Sequence, residues 1–128
     1  ITQFARIDIC NVGGITESMK VAGWCESHYI DMMPHNPLGP ICTAASIHYG
    51  ASVPNFAWLE TRESSAENAG FFNDEIIQSS HIMQNAMYVV SDEPGLGIKV
   101  NEGYLRNSKF KQWDPPQLER NDGSVTNW

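Results

Sequence analysis

QFARIDICNVGGITE, residues 3–17, reads as a strand that stops in a glycine turn and hands over to a helix. Aromatic and β-branched side chains over 3–10 fit a half-buried strand. Gly13-Gly14 is a turn signal, Thr16 stands where an N-cap belongs, and Glu17 suits the positive end of a helix dipole. A helix is predicted over about 16–28, with Met19, Ala22 and Trp24 on its buried side. The unit then recurs. YIDMM, residues 29–33, is a short strand that leads into the loop PHNPLGP, residues 34–40. Pro40 fits the first turn of a second helix, where a missing N–H costs nothing. That helix, PICTAASIHYG over about 40–50, puts Ile41, Ala44, Ala45 and His48 near one face and ends at Gly50. NFAWLE, residues 55–60, reads as a third strand. Strand, helix, strand, helix, strand at this rhythm indicates βαβ units and a parallel sheet.

Beyond residue 60 the pattern weakens. Residues 62–82 are polar, with Phe71-Phe72 as the main apolar anchor. AMYVVS, residues 86–91, is strand-like, Pro94-Gly95-Leu96-Gly97 is a turn, and a short helix is expected after Asn101. The tail from Gln112 to Trp128, with its two consecutive prolines, has the character of an arm that docks on something. Three short parallel strands cannot cover both faces of their own sheet, which needs flanking helices or closure into a barrel. The chain is therefore expected to be a slice of a larger α/β protein. Ile1 opening directly onto a strand points the same way.

Composition narrows the function classes. The 128 residues carry 15 acidic and 8 basic side chains, a formal net charge of -7, which argues against nonspecific nucleic-acid binding through phosphates. No apolar run approaches the roughly 20 residues that span a bilayer, and no signal peptide opens the chain. Cys10, Cys25 and Cys42 are odd in number and lack a CxxC pair, so a disulfide framework is not expected and a reducing, cytoplasmic compartment is. The same spacing makes a zinc site from these cysteines and the histidines improbable.

Parallel α/β sheets gather their reacting groups where strands end and βα loops begin. Asp8 closes the first strand, His35 follows the second, and Glu60 closes the third. If the strands are neighbours, the three point into a common cavity. A carboxylate beside a histidine fixes its tautomer and ring, and the imidazole then serves as general acid or base. Plainer roles exist for each: a loop histidine at the surface, Asp8 organising its own turn, Glu60 in a surface ion pair. His48 on an apolar helix face reads as a satisfied core histidine, and His28 and His81 as surface residues.

Three runs carry a resemblance to the mandelate-racemase-like subgroup of the enolase superfamily, and within it to the galactonate dehydratases. Asp8-Ile-Cys-Asn-Val-Gly-Gly-Ile-Thr-Glu17 resembles the sixth strand and turn of that family's (β/α)8, TIM-like barrel. Pro34-His-Asn-Pro-Leu-Gly-Pro40 resembles the seventh, and Pro54-Asn-Phe-Ala-Trp-Leu-Glu60 the eighth. PGLGIKVNE (94–102) and DGSVTNW (122–128) are similar to the same family's C-terminal end.

The resemblance implies an α/β fold: strands 6 to 8 of the barrel over residues 1–100, and over 101–128 an arm extending toward an N-terminal capping region. It implies Asp8 and His35 as an Asp–His dyad and Glu60 as the group that steadies the enolate, preferably as a protonated donor with a raised pKa. It further implies a hydro-lyase acting on a small sugar acid of the D-galactonate type. In that reaction Mg²⁺ assists removal of the α-proton, and His35 protonates the departing 3-hydroxyl to leave a 2-keto-3-deoxy acid. The metal ligands are expected upstream of Ile1, so the isolated segment is expected to be inactive, and a homo-oligomer is expected of the full-length protein. The competing readings are another aldonate dehydratase or a racemase of the same superfamily, or a non-catalytic barrel fragment serving as a binding or assembly module.

Overall fold

The computed structural model describes residues 2–61, 74–110, 112 and 118–126. Phe71-Phe72 and Trp128 lie outside the described residues, as do the expectations placed on them.

The first strand is shorter than its β-favouring composition predicts. β1 covers Phe4–Ala5, and at Asp8 the backbone turns into a one-turn helix, α1 (Ile9–Val12). The cause is local: Asp8 Oδ1 accepts the N–H of Cys10 at 2.8 Å and of Asn11 at 3.3 Å, an N-cap that competes with strand continuation. α1 stops at Gly13, whose φ of 108° is a left-handed conformation that glycine adopts without strain. α2 (Ile15–Ser27) starts directly after Gly14, so Thr16 lies inside the helix and is not its cap. Its buried face is made of small residues, Ser18 and Ala22. The expectation for Met19 and Trp24 is corrected, since both are exposed, Trp24 by 66%. The small face is what permits close approach to the next helix, where the Tyr49 hydroxyl donates to Ser18 O at 3.4 Å.

β2 (Asp31–Met32) runs parallel to β1, pairing Phe4 with Asp31 and Ala5 with Met32. The ladder continues past the regular strands, with Met33 N–H donating to Ala5 O at 2.9 Å and His35 N–H to Ile7 O at 2.8 Å. Residues 55–60 contribute a single parallel bridge, Met32 to Phe56, closed by Met32 N–H to Asn55 O at 2.7 Å and Ala57 N–H to Met32 O at 2.9 Å. The spatial order is thus first, second, third, all parallel, as the rhythm of elements indicates.

Between them α3 (Pro40–Ser52) buries Cys42–Ile47 and Tyr49, while Ile41, expected on the apolar face, is 47% exposed. The helix also runs past Gly50. That glycine serves packing rather than termination, because a Cβ there would sit 2.8 Å from the Phe56 ring. Ile9, Ala22, Met32, Ala45, Tyr49 and Val53 form one core cluster under the sheet.

The remainder is antiparallel. β3 (Ile77–Ser79) pairs with β6 (Ile98–Val100), and β4 (Ile82–Gln84) pairs with β5 (Met87–Val89). Asn85 and Ala86, at φ 49° and 61°, form the tight turn between β4 and β5. α4 (Glu102–Asn107) follows Asn101, whose side chain caps it at Tyr104 N. β7 (Leu118–Glu119) and β8 (Val125–Thr126) make a last small hairpin. Two histidine expectations fail here. His81 is buried at 6%, held by Leu96 O and the Ser91 N–H, with its ring 5.0 Å edge-on from that of His48. His48 Nε2, expected to be satisfied, is buried without a hydrogen-bond partner.

Candidate active site

Three parallel segments deliver three titratable side chains to one end of the sheet. Asp8 ends the first, and its side chain is only 5% exposed. One carboxylate oxygen is committed to the α1 cap, which leaves Oδ2 pointing to His35 Nδ1 at 3.0 Å. The cap therefore fixes the carboxylate rotamer, and the carboxylate fixes the imidazole. With Nδ1–H donating to Asp8, Nε2 is the nitrogen left to take or give a proton. The His35 side chain is one-third exposed, so part of the ring reaches solvent.

Glu60 completes the arrangement from the third segment, its Oε2 lying 3.8 Å from His35 Nε2, too long for a hydrogen bond but close for a charge. Its two oxygens are otherwise held: Oε1 accepts from Arg6 at 2.6 Å, and Oε2 from the Asn36 backbone N–H at 3.1 Å. Partial burial pushes this carboxyl up, but the Asn36 N–H, the Arg6 hydrogen bond and charge, and His35 together outweigh it. The net pKa is lowered. The expectation of a raised pKa and a protonated donor is thus corrected: at neutral pH Glu60 is an anion facing His35.

Asn36 and Arg6 are the two site residues that the sequence reading passes over. Asn36 is 1% exposed; its amide donates to Glu60 O and to Thr43 Oγ1, both at 3.0 Å, tying the loop after β2 to the third segment and to α3. Nothing in a Pro-rich loop says whether an asparagine faces inward. Arg6 is different, since strand alternation puts it on the face of Asp8, two residues earlier, and that signal is present in the sequence.

The site is an open face. A cavity of about 510 Å³ lies between α3, residues 56–61 and the β4–β5 hairpin, and none of Asp8, His35 or Glu60 lines it. Cys42 lies near Asp8, but its thiol is pushed up to about 12, first by burial and then by Cys10, so it is no thiolate nucleophile at neutral pH. Mg²⁺ takes oxygen ligands in octahedral array. The one group of three metal-capable side chains among the described residues is Asp8, Cys10 and Cys42, a sulfur-rich set that does not fit it.

Known proteins resemble this chain in sequence and in fold. The chain is 30% identical to a D-galactonate dehydratase of Verminephrobacter eiseniae over 94% of its length and 33% of that protein's. It is 27% identical to a D-mannonate dehydratase of a Sphingomonas species over its full length and 31% of that protein's. Among solved structures, an enolase from Agrobacterium radiobacter with sodium and L-malate bound superposes with a TM-score of 0.80, at 26% identity over 96% of this chain and 34% of that one. An enolase from Pantoea ananatis with D-gluconate and Mg bound gives a TM-score of 0.66, at 30% identity over 79% of this chain and 24% of that one. The chain thus spans about one-third of the length of the curated relatives it matches. The family model described as enolase C-terminal domain-like matches residues 1–104, and the chain belongs to that family.

Proposed function

We propose that the protein containing these residues is an acid-sugar dehydratase, a hydro-lyase of the D-galactonate type, and that this chain supplies strands 6 to 8 of its barrel. The observation that carries the reading is the Asp8–His35 hydrogen bond at 3.0 Å between neighbouring parallel strand ends. D-Galactonate and D-mannonate dehydratases among the relatives, and the gluconate-bound enolase among the similar structures, favour an aldonic acid as the substrate.

The residues present account for one half of such a reaction. His35, held through Nδ1 by Asp8, carries its exchangeable proton on Nε2 when charged and gives it to the 3-hydroxyl as that group leaves. Loss of water then yields an enol that tautomerises to the 2-keto-3-deoxy acid. Asp8 acts by orienting the ring through its 3.0 Å contact with Nδ1. Glu60, as a carboxylate 3.8 Å from Nε2, steadies the imidazolium before the proton is given up. Arg6 offsets the second negative charge that Glu60 brings to the site.

The one three-donor group among the described residues does not fit Mg²⁺, so we place its carboxylate ligands and the base that removes the α-proton in other parts of the protein. We assign residues 101–128 to an arm against the capping region and the protein to the cytoplasm, where its three free cysteines stay reduced. No helix among the described residues is long and apolar enough to cross a membrane. The test is a panel of aldonic acids offered with Mg²⁺ to the whole protein, with 2-keto acid as the readout. Formation of a 2-keto-3-deoxy acid from at least one member, D-galactonate first, is expected. A racemised or unchanged panel would remove the dehydratase reading.

A further inference from the structure

Cys10 and Cys42 are far apart in sequence and come together because α1 packs on α3. Their sulfurs and an Asp8 carboxylate oxygen all lie within 4.8 Å of one another. Cys10 is exposed while Cys42 and Asp8 are buried, which makes a cup with two fixed walls and one movable one. From this geometry we infer a site for a thiophilic divalent cation, Zn²⁺ or Cd²⁺, held by Cys10 Sγ, Cys42 Sγ and Asp8, with water in the fourth position on the solvent side of Cys10.

Two thiolates and one carboxylate are a soft, tetrahedral donor set. Metal–sulfur bonds of about 2.3 Å and metal–oxygen bonds of about 2.0–2.2 Å need ligand atoms closer together than 4.8 Å. Of the three side chains, the exposed Cys10 is the one freest to rotate toward the other two. The cation binds as both thiols give up their protons to solvent, and at Cys42 it does so against the upward push of burial on that thiol.

The position has a consequence for the dyad. The Asp8 carboxylate already serves the α1 cap through Oδ1 and His35 through Oδ2. A cation on either oxygen withdraws negative charge from His35 and loosens its hold on the ring. The site is therefore antagonistic to the Asp8–His35 pair, and a thiophilic metal is an inhibitor acting beside the reactant site rather than the reaction's own cofactor. This inference rests on the three side chains themselves and stands whether or not the protein is a dehydratase.

The experiment titrates the full chain, reduced and then freed of reductant under inert gas, with Cd²⁺ and reads thiolate-to-cadmium charge-transfer absorption in the ultraviolet. The expected result is saturation at one ion per chain, no displacement by a large excess of Mg²⁺, and loss of the signal in Cys10→Ser. Cys25→Ser, which changes the half-buried third cysteine, is expected to leave the signal intact and so controls for nonspecific thiol binding. Cys10 is exposed, so its serine variant is expected to fold, and an unchanged circular dichroism spectrum checks that. Zn²⁺ is expected to shift the His35 ring resonances in NMR spectra while leaving those of His28 in place. An unchanged signal in Cys10→Ser, displacement by Mg²⁺, or no charge-transfer band in the reduced protein would each overturn the site. Stationary His35 resonances at saturation would overturn its coupling to the dyad.

Discussion

Among the described residues, those over 2–61 and those over 74–126 are held together by different physics. The first region has parallel segments, a shared buried cluster and side chains that bond across long sequence separations, such as Asn55 Nδ2 to Ala22 O at 3.2 Å and to Ile30 O at 2.9 Å. The second contributes separate two-stranded antiparallel pairs and the short α4, with Ile82, Met87, Val89, Val100 and Leu118 all exposed. In the first, burial determines conformation and the polar groups at the strand ends are fixed as a by-product. In the second, tight turns and local caps do most of the work. A precise polar site arises where the surrounding backbone is over-determined, and that is where Asp8, His35 and Glu60 are found.

The contrast is broken most strongly by paired core and surface truncations. Met32 is fully buried, and Met32→Ala is expected to destabilise the protein by about 2–5 kcal/mol in denaturant unfolding. Met87 is 68% exposed in β5, and Met87→Ala is expected to cost within about 0.5 kcal/mol. Equal losses at the two positions would show that the second region shares the first one's core.

Next in size is the cap that also serves the site. Asp8→Ala removes the α1 cap and is expected to cost about 0.5–2 kcal/mol, whereas Asp8→Asn keeps the cap and is expected to stay close to the parent. Both variants are expected to move the His35 ring resonances, since neither carries the carboxylate. A smaller gain is expected in the antiparallel region. Ala86 sits at φ 61° in the β4–β5 turn, so Ala86→Gly is expected to stabilise by about 0.5–1 kcal/mol. A loss there would show that the turn's side chain matters more than its backbone.

The smallest effect is a pH dependence. Glu60's carboxyl is lowered below its ordinary 4.5 in the folded protein, so its contribution to stability is complete above that value. The contribution disappears as pH falls through the lower folded pKa. The group is partly exposed, and solvent keeps the amplitude small. Thermal midpoints measured from neutral pH down to acid are expected to fall less steeply below about pH 4.5 in Glu60→Gln than in the parent. Identical profiles would show that Arg6 and Asn36 do not hold the carboxylate.

How much of this is legible in the sequence follows the same division. The parallel order and the convergence of Asp8, His35 and Glu60 can be read from residues 3–60, because period and loop chemistry are local properties. The charge state of Glu60 cannot, since it depends on Arg6, 54 positions away, and on the Asn36 N–H, 24 positions away. Burial of His81 depends on Leu96 and Ser91 across two antiparallel pairs, and the hairpin turn at Asn85-Ala86 lacks the glycine that usually announces one. Gly50 has the look of a helix end and is instead the place where Phe56 needs room. The proximity of Cys10 to Cys42 is likewise a product of helix packing, invisible in their spacing.

The proposed dehydration depends on a proton given up by His35 under the orienting hold of Asp8. Its most direct test is turnover of D-galactonate by the whole protein carrying His35→Asn, with the thermal midpoint measured alongside. A fall in kcat of about 10²–10⁴-fold at nearly unchanged stability is expected. Turnover within a few-fold of the parent would contradict it.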